Sequence, residues 1–218
     1  MSVFIPAGSG ILTTAWAGSA TSEMTIMARI SFDVTTPSAS GWRDIVVIEP
    51  NIYLQTFSDG VTSDFGSANF DHVGPILAIN TWYHLAMVVV PTSTTNRQHY
   101  GYINGKLVVN AVDASTFTAH TAISIGNTTS FGLTYAFNGQ IRDVRVWNRA
   151  LTATNIVDEM RSSIPVRKES LLLWAPLSDS LTIDCSGNGR ILTASGTPAP
   201  ALQGGEFGIS RLKKSTPF

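Results

Sequence analysis

Residues 138–156 read NGQIRDVRVWNRALTATNI, and this stretch decides the fold. Its first part, residues 138–148, is rich in β-branched and aromatic residues and predicts a β-strand. The apolar positions change parity between Ile141 and Val144, which indicates a β-bulge within the strand. The stretch then leads into a short helix, which we predict over about residues 153–161.

The start of this helix has its own sequence signals. Thr152 is a plausible N-cap, because its hydroxyl can accept a hydrogen bond from a free backbone N–H of the first turn. Leu151 and Ile156 stand at the two positions of a hydrophobic staple. Asp158 and Glu159 are adjacent acids on the same helix, and we expect both to face solvent.

Three longer stretches on the N-terminal side also predict strands. Residues 24–34 alternate between apolar and polar, as expected for a strand with one buried face. Residues 82–90 are apolar at both parities, which predicts a central strand covered on both sides. Residues 99–110 predict a hairpin, because Asn104 and Gly105 suit a tight turn with positive φ and strand-forming residues flank them.

The remaining chain fits an all-β domain. Region 58–75 reads as a long polar loop. Many short strands, Gly-containing turns and one short helix near residues 153–161 predict a two-sheet antiparallel jelly-roll sandwich. Shorter strands are expected at residues 45–48, 52–57, 123–126, 171–177, 190–194 and 206–210.

Composition excludes several functions. The 218 residues suit one large β domain, and charged residues are only 13%, against about a quarter in typical proteins. The net charge is -1 and no basic run exceeds Lys213-Lys214, so we predict no nucleic-acid partner. Cys185 is the single cysteine, so no disulfide can form within the chain.

We expect neither secretion nor membrane insertion. The N-terminus lacks the basic and apolar regions of a signal peptide. No apolar run approaches the roughly 18–20 residues of a membrane span. The sequence therefore predicts a protein made in a cytoplasm.

Three segments together resemble the laminin-G and pentraxin type of concanavalin A-like jelly roll, in the concanavalin A-like lectin/glucanase superfamily. They are NTWYHLAMVVV (80–90), YGYINGKLV (100–108) and the tract from ISIGNTTS to RALTATNI (123–156). The resemblance extends over about residues 20–160. It implies the sandwich fold that the strand pattern also predicts.

The C-terminal part raises a question of topology. In that family a tract similar to LLLWAPLSDSLTIDCSGNGRIL (171–192) usually begins the domain, whereas here it follows the helix. We expect residues 170–210 to supply the missing strands, either to their own sandwich, to a neighbouring subunit by strand addition, or as a second truncated unit. The predicted divisions are 1–20, an N-terminal arm or edge strand; 21–165, the jelly roll; 166–210, the completing or pairing segment; and 211–218, a polar tail.

The chain shows no catalytic set. Glucanases of the resembling family need two carboxylates at near-alternate strand positions, and no two of the five glutamates lie two to four residues apart. No Gly-x-Ser-x-Gly motif is present. The histidines have no metal-type spacing, and the most apolar context, that of His84, predicts a core or sheet histidine. The four histidines are His72, His84, His99 and His120. We predict from these absences a non-enzymatic protein with no resident cofactor.

A carbohydrate site is predicted around Trp42, Arg43, Asp44 and Tyr53, which combine aromatic rings with polar groups. Trp42 is the tryptophan least committed to the core, because polar and small residues surround it. We expect the tryptophans at strand positions to be core residues: Trp82, Trp147 and Trp174.

Two further groups of polar residues have competing interpretations. Asp184, Ser186 and Asn188 alternate through a Gly-containing turn and offer oxygen ligands to calcium. The same pattern is typical of a tight turn whose side chains bond their own backbone. Arg142, Asp143 and Arg145 are expected to form surface ion pairs of little energetic weight.

The resemblance and the missing catalytic set favour a structural or adhesive virion protein of a bacteriophage. It would act as a capsid decoration, head-fibre or tail component, would contact capsid or other virion proteins, and would self-associate, with a trimer suiting a three-fold position. The alternative is a lectin-like module that binds cell-surface glycans with the help of calcium. A glycoside hydrolase is the distant alternative.

Overall fold

The computed structural model describes residues 3–5, 10–19, 23–32, 41–57, 62–67, 70–114, 118–129, 135–178, 180–196 and 198–200. These residues form two antiparallel sheets and one helix. The strands are β1 (Val3–Ile5), β2 (Gly10–Gly18), β3 (Met24–Phe32), β4 (Arg43–Glu49), β5 (Ile52–Thr56), β6 (Thr62–Ser67), β7 (Val73–Ile76), β8 (Tyr83–Pro91), β9 (Arg97–Ile103), β10 (Lys106–Asp113), β11 (His120–Ile125), β12 (Gly139–Trp147), β13 (Leu171–Ala175), β14 (Thr193–Gly196) and β15 (Ala199–Pro200); the helix is α1 (Ala153–Arg161).

The two sheets have the strand orders of a jelly-roll sandwich, which confirms the predicted fold class. Sheet A runs β10-β9-β8-β3-β12-β1-β15, and sheet B runs β14-β2-β11-β4-β5-β6-β7. In sheet A, β13 also pairs with β12. Strands β1 and β13 thus share one side of β12, with β1 along its first residues and β13 along its last.

Residues 138–156 fold as predicted, into strand β12 and the start of helix α1. The register between β12 and β3 shifts between Arg142 and Arg145, and Asp143 within this shift has a φ of 53°. This is the expected bulge. Helix α1 begins after Thr152, whose side chain accepts a hydrogen bond from the backbone N–H of Asn155.

Two apolar clusters hold the molecule together. The larger one fills the space between the sheets and includes Leu85 and Met87 of β8. The smaller one lies on the other face of sheet A and includes Ala86, Val88 and Ile156 of α1. Strand β8 is therefore covered on both faces, as its sequence predicted.

The predicted hairpin is also confirmed. Strands β9 and β10 pair in antiparallel register around Asn104 and Gly105, whose φ angles are 50° and 78°. Positive φ at both central residues is the requirement of a tight two-residue hairpin turn.

Three predictions of local structure need correction or lie outside the description. Region 58–75 is not one long loop, because β6 and β7 lie within it. Strand β6 was missed because its sequence TSDFGS is polar and Phe65 is its single large apolar side chain. The strand expected at 190–194 begins only at Thr193. The strand expected at 206–210 lies outside the described residues.

The C-terminal strands pair within their own chain. Strand β13 pairs with β12, β14 with β2, and β15 with β1. Each of β1 and β2 consequently has a neighbour on both sides. Within the described part of the chain, no helix is long and apolar enough to cross a membrane.

Candidate functional site

Two of the residues predicted to bind carbohydrate, Asp44 and Tyr53, lie on the outer face of sheet B. Ile52 and Leu54 of β5 point into the core between the sheets. Because side chains alternate along a strand, Tyr53 and Gln55 point away from that core. Asp44 on β4 is the register partner of Gln55, and so belongs to the same outer row.

This outer face is polar and extends across several strands. Gln55 pairs with Asp64 on β6, and its Nε2 donates a 2.7 Å hydrogen bond to Asp64 Oδ2. On the neighbouring strands, the Ser124 hydroxyl donates to Glu49 Oε1 at 2.9 Å. Asp44, Glu49 and Asp64 are all buried.

A segment after β11 covers this face. The backbone N–H of Asp44 donates to the carbonyl of Tyr135 at 2.8 Å, and Arg43 donates to the carbonyl of Ala136 at 2.9 Å. Thr128 Oγ1 donates to Glu49 at 3.0 Å. The structure thus places Asp44 and Tyr53 on one face, whereas Arg43 is the register partner of Thr56 and has the parity of the inward-pointing Ile52 and Leu54. Arg43, Asp44 and Tyr53 are all buried. Their role in sugar binding stays a prediction.

Trp42 lies at the border of this covered face. It is half-buried and packs edge-on against Phe57 and Tyr135, with 6.1 Å between ring centroids in each pair. These contacts make Trp42 a packing residue of the cover rather than an open platform.

Burial dominates the electrostatics of the covered face. It raises the pKa of the Asp44 carboxyl well above its usual range, and the nearby acids Glu49 and Asp64 raise it further. Burial likewise raises the pKa of Tyr53, followed by the charge of Asp44. It also raises the pKa of Asp64 to about 7. Burial therefore favours the protonated, uncharged forms of Asp44 and Asp64.

The predicted calcium loop is a self-bonded turn in the structure. Asp184 Oδ1 accepts from the backbone N–H of Ser186 at 2.8 Å and of Trp174 at 3.1 Å. Asn188 Nδ2 donates to the carbonyl of Leu171 at 2.7 Å. These bonds fasten the loop to β13. A calcium ion would have to displace several of them, and calcium binding here stays a prediction.

An open cleft lies elsewhere, on the outer face of sheet A beside the C-terminus of α1. Its volume is about 400 Å³. Three guanidinium groups and one carboxylate carry its charge. The lining consists of Arg29, Arg142, Arg161, Asp143, Ser162, Ser163, Ser178 and Pro176.

Backbone register brings the arginines of this cleft together. Arg29 of β3 and Arg142 of β12 are cross-strand partners, immediately before the bulge at Asp143. Arg161 is the last residue of α1. The Arg29 guanidinium donates to the carbonyl of Met160, which fastens it to the end of the helix.

Trp82 adds an aromatic surface next to the cleft. The Arg142 guanidinium carbon lies 4.1 Å from the centroid of the Trp82 ring, a cation–π contact. Partial burial lowers the pKa of Arg142, and the positive charge of Arg29 lowers it further. Trp82 is 37% exposed, so its prediction as a core residue was wrong, whereas Trp147 is fully buried as predicted.

The single carboxylate of the cleft is already engaged. Both oxygens of Asp143 accept hydrogen bonds from Arg145, each at 2.8 Å. Arg29 lies 3.5 Å from the same carboxylate. Arg145 and Arg29 therefore compensate the charge of Asp143. The arginines of the lining give the cleft a positive potential.

Arg145 and Glu159 correct two sequence predictions. Arg145 is buried rather than on the surface, and Glu159 is buried rather than facing solvent. Arg145 Nη1 donates to Glu159 Oε2 at 2.9 Å. Glu159 also accepts from the backbone N–H groups of Val166 and Arg167 at 3.1 and 2.8 Å. The pair anchors α1 and the following segment to sheet A.

Sequence reasoning missed the cleft because its residues come from distant parts of the chain. The alternation of residues 24–34 places Arg29 on the polar face of its strand, and this is the one local signal. The pairing of Arg29 with Arg142 depends on strand order and register. Neither strand order nor register can be predicted from the spacing of residues in the sequence.

The comparisons with known proteins agree with the observed fold. A laminin-G model of the concanavalin A-like lectin/glucanases superfamily matches residues 7–157. No curated protein sequence matches the chain.

Several solved structures resemble this one at low sequence identity. A protein from Bacteroides ovatus, to which carbohydrate binding is provisionally assigned, has a TM-score of 0.69 and 20% identity over 91% of this chain. This chain spans only 59% of that protein. A heptameric SAP-like pentraxin from Limulus polyphemus has a TM-score of 0.55 and 15% identity, and the match covers 90% of this chain and 94% of the pentraxin. A sialidase from Trypanosoma rangeli has a TM-score of 0.54 and 16% identity, over 72% of this chain and 26% of the sialidase.

Proposed function

This chain belongs to the concanavalin A-like lectin/glucanase superfamily, and we propose that it binds an acidic saccharide without cleaving it. The observation that carries the proposal is the open cleft of about 400 Å³ with Arg29, Arg142 and Arg161 in its lining. The assignment of carbohydrate binding to the similar Bacteroides ovatus protein supports a saccharide as the ligand class.

The chemistry of the lining favours an acidic sugar over a neutral one. Guanidinium groups present donors in a planar fork that matches a carboxylate or a sulfate. The serine hydroxyls of Ser162, Ser163 and Ser178 can bond sugar hydroxyls. Trp82 offers a partly exposed ring beside Arg142, as sugar sites commonly do.

The same lining argues for binding rather than hydrolysis. Glycosidases place two carboxyl groups on either side of the scissile bond. Asp143 is the single carboxylate in the described lining of the cleft, and Arg145 holds both of its oxygens. That arrangement keeps the Asp143 carboxylate engaged, and the described lining offers no second acid for catalysis.

A glycan array tests this proposal. It should carry neutral, uronic-acid, sialylated and sulfated glycans, and be probed with calcium and again with a chelator. We expect retention of acidic glycans, and a loss of at least tenfold for Arg161→Met. Arg149→Met is the matched control, because Arg149 is exposed and does not line the cleft. Retention of neutral glycans alone would contradict the proposal. A loss of binding in the chelator would support the calcium prediction.

The virion role is a second candidate, and one surface observation favours it. Edge strands β7 and β10 carry exposed apolar side chains, among them Ile76 and Val112. A Cβ added to Gly74 of β7 would lie 3.6 Å from Val108 of β10, so the two edges are adjacent. Such a surface suits contact with another protein, either a virion component or a second copy of the chain. The bacteriophage origin stays a prediction.

A further inference from the structure

Two histidines and an aspartate meet where the two sheets approach each other at one edge. His99 lies on β9 and Asp113 at the end of β10, both in sheet A. His72 directly precedes β7, the edge strand of sheet B. Among the described residues, they are the one group of three metal-ligating side chains whose ligand atoms all lie within 4.8 Å of one another.

The Asp113 carboxylate lies at the centre of the group. Its Oδ2 atom lies 2.8 Å from His99 Nε2 and 3.6 Å from His72 Nε2. The Ser67 hydroxyl donates to the same oxygen at 2.7 Å. The two imidazole rings are 4.7 Å apart between centroids. Both nitrogens therefore face one carboxylate oxygen across a short gap.

Burial makes the arrangement costly without a further partner. The side chains of His99 and Asp113 are inaccessible to solvent, and that of His72 is 9% exposed. His72 Nε2 has no hydrogen-bond partner within 3.5 Å, and its neighbour Asp113 Oδ2 lies 3.6 Å away. Leaving a buried polar atom incompletely satisfied is destabilising. This nitrogen points at Asp113, so a cation between the groups would satisfy it.

Ligand type and spacing suit a transition ion. Two imidazole nitrogens and one carboxylate oxygen are ligands that Zn²⁺ takes, at about 2.0–2.2 Å each. Ligand atoms at those distances lie roughly 3.4 Å apart in a tetrahedron. The observed gaps of 2.8 and 3.6 Å lie on either side of that value, so small side-chain rotations suffice.

We propose that His72, His99 and Asp113 form a Zn²⁺ site that fastens the edge of sheet B to the edge of sheet A. Three protein ligands leave one position of the tetrahedron, which water can fill. The ion would join β9 and β10 to the segment before β7. It would do so in a chain whose single cysteine allows no disulfide within the chain. No spacing in the sequence predicts this group, because His72 and His99 meet through the packing of the two sheets.

Zinc binding to the full chain, stripped of metal with a chelator, tests the proposal. We expect one Zn²⁺ per chain by calorimetry with a dissociation constant in the micromolar range or tighter. Thermal unfolding should shift upward when excess Zn²⁺ is added, because an ion that binds the folded state stabilises it. Co²⁺ should give visible absorption bands of a tetrahedral site. Mg²⁺ should have no effect, because it prefers oxygen ligands in octahedral geometry.

Variants separate this site from adventitious binding. His72→Gln should weaken zinc binding by at least 100-fold, and it alters the most accessible of the three side chains. His84→Gln is the matched control, since His84 is buried in sheet A outside the group. Unchanged zinc affinity in His72→Gln would overturn the proposal, as would failure of the unaltered chain to bind Zn²⁺ at 100-fold excess.

Discussion

At the scale of single residues, the buried pair of Arg145 and Glu159 joins α1 to sheet A. The sequence places both in charged runs, which are usually solvated. In the structure the Glu159 carboxylate instead accepts three hydrogen bonds, from Arg145 and from the backbone N–H groups of Val166 and Arg167. Removing its charge leaves the buried Arg145 with Asp143 as its remaining carboxylate partner.

We predict that Glu159→Gln lowers the free energy of unfolding by about 3 kcal/mol. Asp158→Asn is the matched control on the same helix, because Asp158 pairs with Arg167 at a half-exposed position. It should cost at most about 1 kcal/mol. Urea unfolding followed by tryptophan fluorescence measures both. Equal losses in the two variants would show that Glu159 has no special role.

Asp64, on the covered face of sheet B, makes the free energy of unfolding depend on pH. Its folded pKa is raised to about 7, chiefly by burial, above an ordinary value of 3.8. Between about pH 4 and pH 7 the folded chain therefore holds a proton that the unfolded chain has lost. The stability from this group is fully present below pH 4 and is lost as pH rises through 7.

We predict that Asp64→Asn gains stability relative to the unaltered chain as pH rises from 4 to 7, by on the order of 3 kcal/mol. The asparagine keeps the shape of the side chain and never has to lose a proton. Denaturant unfolding at several pH values gives the difference. Parallel profiles for Asp64→Asn and the unaltered chain would contradict the raised pKa.

At the scale of elements, the β9–β10 hairpin shows how turn chemistry and packing combine. Gly105 has a φ of 78°, and a Cβ added there would lie 3.0 Å from Val157 of α1. Gly187 has a φ of 92° with nothing within 4 Å of an added Cβ. A side chain at either position would adopt the same unfavourable positive φ, but at Gly105 it would also press against α1.

We predict that Gly187→Ala costs about 1 kcal/mol from strain alone. Gly105→Ala should cost more, because the hairpin or α1 must shift to accept the methyl group. Thermal unfolding of the two variants gives the comparison. Equal costs would mean that the hairpin does not rest against α1 as described.

Most elements could be predicted from the sequence because their signals are local. The alternation of β3, the Asn-Gly turn and the Thr152 cap each depend on a few neighbouring residues. Strand β6 could not be predicted, because its sequence is mostly polar. Asp64 bonds to a neighbouring strand, and Phe65 is the one large apolar side chain that β6 contributes to the core. Asp44 and Tyr53, which the sequence grouped with Arg43 in one candidate sugar site, lie on one face of sheet B, and sugar binding there stays a prediction. Their burial depends on a later segment of the chain.

At the scale of the whole molecule, the pairing of β13, β14 and β15 within the chain completes both sheets. Neither the arginine cleft nor the histidine–aspartate group could be predicted. Each assembles residues whose proximity depends on strand order and sheet packing. Sheet A ends at β10 and β15, and sheet B ends at β7 and β14. We expect an association surface at β10 and β7, because these edges carry exposed apolar side chains.

We predict that Val112→Lys on β10 disrupts any self-association through this edge. Val112 is 57% exposed, and a lysine opposes pairing of an edge strand with another chain. Light scattering coupled to size-exclusion chromatography should show an oligomer for the unaltered chain and a smaller species for the variant. Ile191→Lys is the control, because Ile191 is also apolar and exposed but lies outside β7 and β10. A monomer in every case would contradict association through this edge.

Recognition of an acidic group on a saccharide by the arginine cleft can be tested by a calorimetric titration with the acidic glycan that binds best and with its neutral parent. We expect the acidic glycan to bind at least tenfold more tightly and salt to weaken its binding. Arg161→Met should remove the preference, whereas Arg149→Met should keep it. Equal affinity for both glycans, or an unchanged preference in Arg161→Met, would rule out recognition by this cleft.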